Sequence, residues 1–194
     1  TSFFHGGING EFNIDALAPA AGFNLYFGKN EFNNDIYFDG HWGIYDEEFM
    51  QFFSKKLNDF PEPFCSALFT VSSHQPFPIP VKYKNKFPKG EQIITESIGY
   101  TDYALRKFFE TAVKEKWYKN TLFVITADHT FQYGKRLAPR YENRAGYFSV
   151  PLFFFSPGDS LVGQSDVLIQ HTDIIPSILD YLKYSGSVLS FGTS

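Results

Sequence analysis

Five histidines lie in this chain of 194 residues, and three of them stand just past an apolar, β-leaning run. His5 follows residues 2–4, His74 follows FCSALFTVS (64–72), and His129 follows TLFVIT (121–126). Asp128 directly precedes His129. A carboxylate oxygen and an imidazole nitrogen are both good donors to a divalent metal, and neighbours on an irregular loop can turn towards one ion. The pair reads as part of a metal site whose other ligands come from elsewhere. His171, in IQHTD before a predicted helix, is a fourth candidate, although His5 and His171 taken singly read more readily as structural or surface histidines. His41, in DGHWG, reads as a solvated or stacking residue.

The surrounding pattern supplies the elements that must hold these residues. Runs apolar on both faces at 64–72, 121–126 and 150–155 suit strands buried in a parallel sheet. Between the first two, Ile94, Ile98, Leu105, Phe108, Phe109, Ala112 and Val113 recur at three- and four-residue spacing and predict an amphipathic helix over 91–116. Phe49, Phe52, Phe53 and Leu57 predict a shorter helix over 46–59, opened by acidic residues that suit a helix start. A last helix is expected after Pro176, through Ile178, Leu179 and Leu182. This order reads as α/β, with helices packed on a mostly parallel sheet. In such open sheets ligands bind beyond the carboxyl ends of the strands, where His5, His74 and Asp128–His129 would fall.

The length and a hydrophobic share of 43% suit one domain with a sizeable core. A net charge of −4, with basic residues scattered among acidic ones, suggests neither a nucleic-acid face nor a polybasic membrane patch. The 24 Phe and 12 Tyr read as core rather than as a base-stacking surface. A lone Cys65 excludes an internal disulfide and a cysteine-rich zinc module. No run reaches the length of a membrane span. Residues 28–43 and 75–90, rich in turn formers, read as ordered surface loops, the second carrying Pro76, Pro78, Pro80 and Pro88.

Eight motifs in order extend this reading: FFHGG (3–7), FNID (12–15), WGIYDEE (42–48), SSHQPF (72–77), YTDYALRKFFE (100–110), NTLFVITADHT (120–130), VPLFFFSPG (150–158) and QHTDIIPSILD (170–180). Over nearly its whole length the chain resembles the extracytoplasmic domain of lipoteichoic acid synthases and related phosphoglycerol transferases, in the sulfatase branch of the alkaline phosphatase superfamily. The resemblance implies a mostly parallel sheet with helices on both faces, and a chain, 1–194, that is the carboxy-terminal part of one catalytic domain, incomplete on its amino-terminal side. It implies a divalent metal (Mn, Mg, Zn or Ca) held partly by Asp128 and His129, with His74 as the catalytic donor near the attacking or leaving oxygen. His5, Phe12, Asn13 and His171 would surround the substrate. In such enzymes a threonine attacks phosphorus, or a formylglycine hydrate attacks sulfur, through a covalent intermediate.

Two departures narrow the expectation. Where the synthases typically read F-W-N-R-D, this chain has FNID, so that Phe12 takes the tryptophan position and Ile14 the arginine position. Ile14 cannot give the bidentate, permanently charged contact that a guanidinium gives a phosphate; Arg136, Arg140 and Arg144 could approach from another direction. The family's nucleophile and acidic metal ligand lie upstream of FFHGG, so the chain is expected to be a fragment without activity by itself. Its parent would be anchored by upstream helices in the cytoplasmic membrane, with this domain outside. The first reading is a phosphotransferase acting on phospholipid head groups. A sulfatase or phosphodiesterase releasing its product to water, and a non-catalytic binding domain of the same fold, are the alternatives; no nucleic-acid partner is expected.

Overall fold

The structure, a computed structural model, describes residues 1–131, 145–159 and 161–194. Arg136, Arg140 and Arg144 lie outside these. The residues form two compact units, Thr1–Ser160 and Leu161–Ser194.

In the first unit three strands, β1 (Ser2–His5), β2 (Leu25–Phe27) and β3 (Ser66–Phe69), pair in parallel in the order β2-β1-β3. Two further strands, β4 (Phe123–Thr126) and β5 (Leu152–Phe155), form a separate antiparallel pair. The helices are α1 (Ile14–Ala20), the single turn α2 (Lys29–Phe32), α3 (Asp46–Lys56) and α4 (Thr95–Ala112). The predicted strands and helices are present with trimmed ends, because the flanking apolar residues pack outside the ladders. The stretch 28–43 is less irregular than its composition suggests: it contains α2 and a 3-10 turn at Asp35–Tyr37.

Phe4 explains how the layers join. It is fully buried, stacks on Phe27 at 4.4 Å, and receives the edges of Phe53 and Phe52 at 4.8 and 6.0 Å. Phe3, one residue earlier and so on the opposite face of the strand, packs instead against Phe23 and Tyr26. The central strand is therefore apolar on both sides. On α4 the buried residues Tyr100, Ala104, Phe108 and Ala112 form a four-residue stripe facing α3, and the two alanines allow close packing. Phe109, Tyr118 and Phe123 carry the packing on to Phe155 of β5.

The second unit holds a 3-10 turn at His171–Asp173 and α5 (Ile174–Tyr181). Pro176 sits in the first turn of α5, where its missing N–H has no intrahelical partner to lose, so the helix begins two residues before the proline.

Candidate active site

The loops that leave the carboxyl ends of β1, β3 and β4 carry the candidate residues. His5 ends β1 and is buried; its Nδ1 lies 3.3 Å from the Tyr26 hydroxyl and its ring 5.6 Å from that of Phe69. Burial lowers its pKa below the ordinary imidazole value, against a smaller opposing effect of Asp15, so His5 is held neutral. Gly7 is required beside it, since a Cβ there would stand 2.3 Å from His5 Cε1. Burial also pushes the Tyr26 hydroxyl up to about 12, with Asp15 and Glu31 adding to the effect.

Phe12 and Asn13 follow in consecutive left-handed conformations, φ 50° and 54°. A bulky residue in that region is strained, and such strain concentrates at functional sites. The turn leaves Phe12 69% exposed, with its ring stacked on Trp42 at 5.8 Å. Asn13 is exposed beside it. Trp42 in turn is placed by Asp39, whose Oδ1 accepts the backbone N–H groups of His41, Trp42 and Gly43 at 2.7, 2.8 and 3.1 Å. Its indole N–H donates to the Gln75 carbonyl at 2.5 Å, and its ring meets that of His74 at 4.0 Å. Phe12, Trp42 and His74 thus form one continuous contact surface.

Below His74 the loop is clamped by a carboxylate whose place in the sequence predicts only a favourable helix start. Asp46, buried at the first residue of α3, accepts the Val71 and Ser72 N–H groups at Oδ1 (3.1 and 3.0 Å) and the Thr101 hydroxyl at Oδ2 (2.9 Å). Its own N–H donates to Ser72 Oγ. Burial raises the Asp46 pKa, and these hydrogen bonds oppose that rise. Thr101 also meets Ser73 Oγ at 3.0 Å, so the Ser72 and Ser73 hydroxyls are engaged in holding the loop. His74 itself is exposed, and its Nδ1 lies 3.1 Å from the Gln75 carbonyl. A carbonyl only accepts, so Nδ1 carries the proton and Nε2 of the neutral ring is an acceptor. Donation from Nε2 requires the imidazolium.

After β4, Asp128 and His129 are about half exposed. His129 Nδ1 lies 2.9 Å from the Thr130 carbonyl, which places its proton there and turns the bare Nε2 towards Asp128 Oδ2 at 3.5 Å. Two lone-pair donors face each other with no proton of their own between them, an arrangement that suits a shared cation. Among the described residues no group of three or more His, Cys, Asp or Glu gathers for a metal, so this pair is a partial donor set. The loops of His74 and of Asp128–His129 meet through Phe77 and Phe131, whose rings lie 5.7 Å apart edge to face. His171 belongs to the second unit, at the start of the turn that leads into α5.

Asp39, Trp42, Asp46 and Thr101 were not singled out from the sequence. Their partners lie on the backbone or 25 to 55 residues away, and the one local signal is the Asp-Gly turn preceding Trp42.

The chain is similar to proteins already known. A lipoteichoic acid synthase-like protein of Bacillus subtilis (strain 168), YvgJ, is 28% identical over 134 residues, which is 66% of this chain and 22% of the relative. Lipoteichoic acid synthase 2 of the same organism is 24% identical over 96% of this chain and 32% of its own length. Among solved structures, a protein of the alkaline phosphatase superfamily from Vibrio parahaemolyticus superposes with a TM-score of 0.76 at 25% identity, over 94% of this chain and 44% of that one. The lipoteichoic acid synthase LtaP from Listeria monocytogenes gives 0.77 at 20% identity, over 99% and 52%. The chain therefore spans about a third or less of the length of the two Bacillus relatives. The sulfatase family model matches residues 1–184, across both units and every candidate residue described above, and the chain belongs to the sulfatase family.

Proposed function

We propose that this chain is part of a metal-dependent phosphotransferase that acts on phospholipid head groups, phosphoglycerol above all, through a covalent intermediate. The observation that carries the reading is the meeting of two loops through Phe77 and Phe131, one bearing His74 against Trp42 and Phe12, the other bearing the facing donors Asp128 Oδ2 and His129 Nε2. A divalent cation held there would neutralise charge on the ester oxygens and favour an ionised nucleophile. His74 Nε2 exchanges a proton with the attacking or leaving oxygen, and the exposed Phe12 and Asn13, with the buried His5, bind the head group. The hydroxyls of Ser72 and Ser73 are taken up in the loop clamp and are not the attacking group. The parent protein works outside the cytoplasmic membrane, anchored by helices beyond this chain; among the described residues no helix is long and apolar enough to cross a membrane.

Ile14, at the first residue of α1, favours a second reading, hydrolysis of a phosphate or sulfate ester, because no guanidinium stands in that position to select a phosphoglycerol. Product analysis separates the two, since transfer leaves the phosphoryl group on an acceptor and hydrolysis leaves it in water.

The test of the metal assignment is calorimetric titration of the parent protein's extracytoplasmic domain with Mn²⁺ or Mg²⁺. One divalent ion is expected to bind, with affinity lost in the Asp128→Ala, His129→Ala double variant. Equal affinity in the two proteins would refute the assignment.

A further inference from the structure

Residues 75–93 contain Lys82, Lys84, Lys86 and Lys89 and a single carboxylate, Glu91, in a chain whose net charge is −4. This local excess is hidden in the whole-chain balance. The stretch is firmly seated on α4: Tyr83 meets Tyr100 and Tyr103 at 5.9 and 5.1 Å, and Phe87 meets the same rings at 6.1 and 5.8 Å. Phe87 lies close over Gly99, where a Cβ would stand 3.1 Å from its own. Lys86 Nζ sits 3.7 Å from the centre of the Tyr103 ring and 4.5 Å from that of Tyr83. Lys82 pairs with Glu47 and Glu48 at 3.0 and 2.8 Å. The rings are thus engaged with the helix, and what is left to the solvent is charge and aliphatic surface. Among the described residues Lys84, Lys86 and Lys89 have no carboxylate partner. Val81, immediately before the lysines, is 87% exposed, and Ile93, just after them, is 68% exposed.

Lys89 Nζ donates to Asn85 Oδ1 at 3.0 Å, an uncharged partner that leaves its charge in place. Ammonium groups without a carboxylate partner, flanked in sequence by bare aliphatic side chains and carried on an aromatic seat, match the surface of an anionic bilayer. The lysines are drawn to the head groups, each contributing about fivefold to partitioning, while apolar residues enter the interface. A soluble polyanion would use the lysines but leave Val81 and Ile93 in water, and a single-stranded nucleic acid would find the rings already occupied. We infer that residues 81–93 dock this protein on an anionic lipid surface. Purpose alone, not the physical case, rests on the proposed head-group substrate. His74 opens the same loop, and Lys82 is bound to the two residues after Asp46, so docking fixes the histidine loop relative to the lipid plane.

Co-sedimentation of the purified protein with phosphatidylglycerol and with phosphatidylcholine vesicles tests this. Binding is expected to the first and not to the second, and to fall when salt is raised to about 0.5 M. Lys84→Ala with Lys89→Ala, neither of which stacks on a ring, should lower partitioning about 25-fold with thermal stability unchanged. Val81→Ser should weaken binding without altering its salt dependence. Equal binding to both vesicles, or no loss in the double lysine variant, overturns the inference. So does binding of inorganic polyphosphate as tight as that of the anionic vesicles and indifferent to Val81→Ser. His74→Ala and the Asp128→Ala, His129→Ala variant should sediment like the unaltered protein. A protein that docks but transfers nothing therefore counts against the proposed activity alone, and one that turns over lipid while ignoring vesicle charge counts against docking alone.

Discussion

His74 and His129 share a construction: in each, Nδ1 donates to the carbonyl of the following residue and Nε2 is left as the working atom. Fixing a tautomer through the chain's own backbone requires no distant partner, so the place of each residue just past a strand is enough to define its ring nitrogens. In the proposed mechanism His74 would act through one exposed atom, and its ring makes one contact in the fold, with Trp42. His74→Ala in the active parent protein should therefore lower turnover by about 10²- to 10⁴-fold while leaving the melting temperature nearly unchanged. Unaltered turnover would remove it from the site. His5 behaves oppositely. Its pKa is lower in the folded protein than the ordinary 6.5, so as pH falls the unfolded chain takes the proton first. The stability from burying a neutral imidazole is complete above pH 6.5 and is lost as pH falls from there through the lower folded value. Urea titrations of wild type and His5→Asn between pH 7.5 and about 5 should show a steeper loss in the wild type; parallel curves would mean that His5 carries no such linkage.

At the scale of elements, the sequence reading named α3 and α4 correctly because their signal is periodic. It placed β3, β4 and β5 from apolar runs, but these strands are only partly buried, with Phe69, Phe153 and Phe155 39, 58 and 39% exposed. It did not anticipate α1 or β2, since Pro19 interrupts the first pattern and the second is three residues long. It also missed the join between α3 and the loop after β3, because that join is made by one carboxylate reaching two amides 25 and 26 residues away. Asp46→Ala strands those two N–H groups and the Thr101 hydroxyl in the interior and should cost about 2 to 4 kcal/mol of unfolding free energy. Asp46→Asn keeps an oxygen for the two amides and offers an N–H that Thr101 can accept by rotating its hydroxyl, so its cost should be about 1 kcal/mol or less. Denaturant melts of the two variants decide whether the clamp is a matter of geometry or of charge. Similar large losses in both would point to the ionised form.

For the molecule as a whole, the α/β class and a mostly parallel sheet were readable, whereas the place of β2 in that sheet and the antiparallel pairing of β4 with β5 were not: an apolar run has no direction until its partner is known. Nor was the separate grouping of residues after 160, where α5 lies beside a groove of about 480 Å³ lined by Ile175, Leu179, Leu189 and Phe191. The sheet has a further implication, one that concerns handling rather than catalysis. Among the described residues β2 and β3 are each paired on one side only, and β4 and β5 pair only with each other, so four short strands offer open rows of backbone donors and acceptors. Open edges are templates for another copy of the same chain. The isolated 194-residue protein should therefore self-associate as it is concentrated, with a sedimentation coefficient that climbs over a dilution series, and should remain dispersed at lower concentration. A constant monomeric coefficient throughout would mean that side chains or loops already screen those edges.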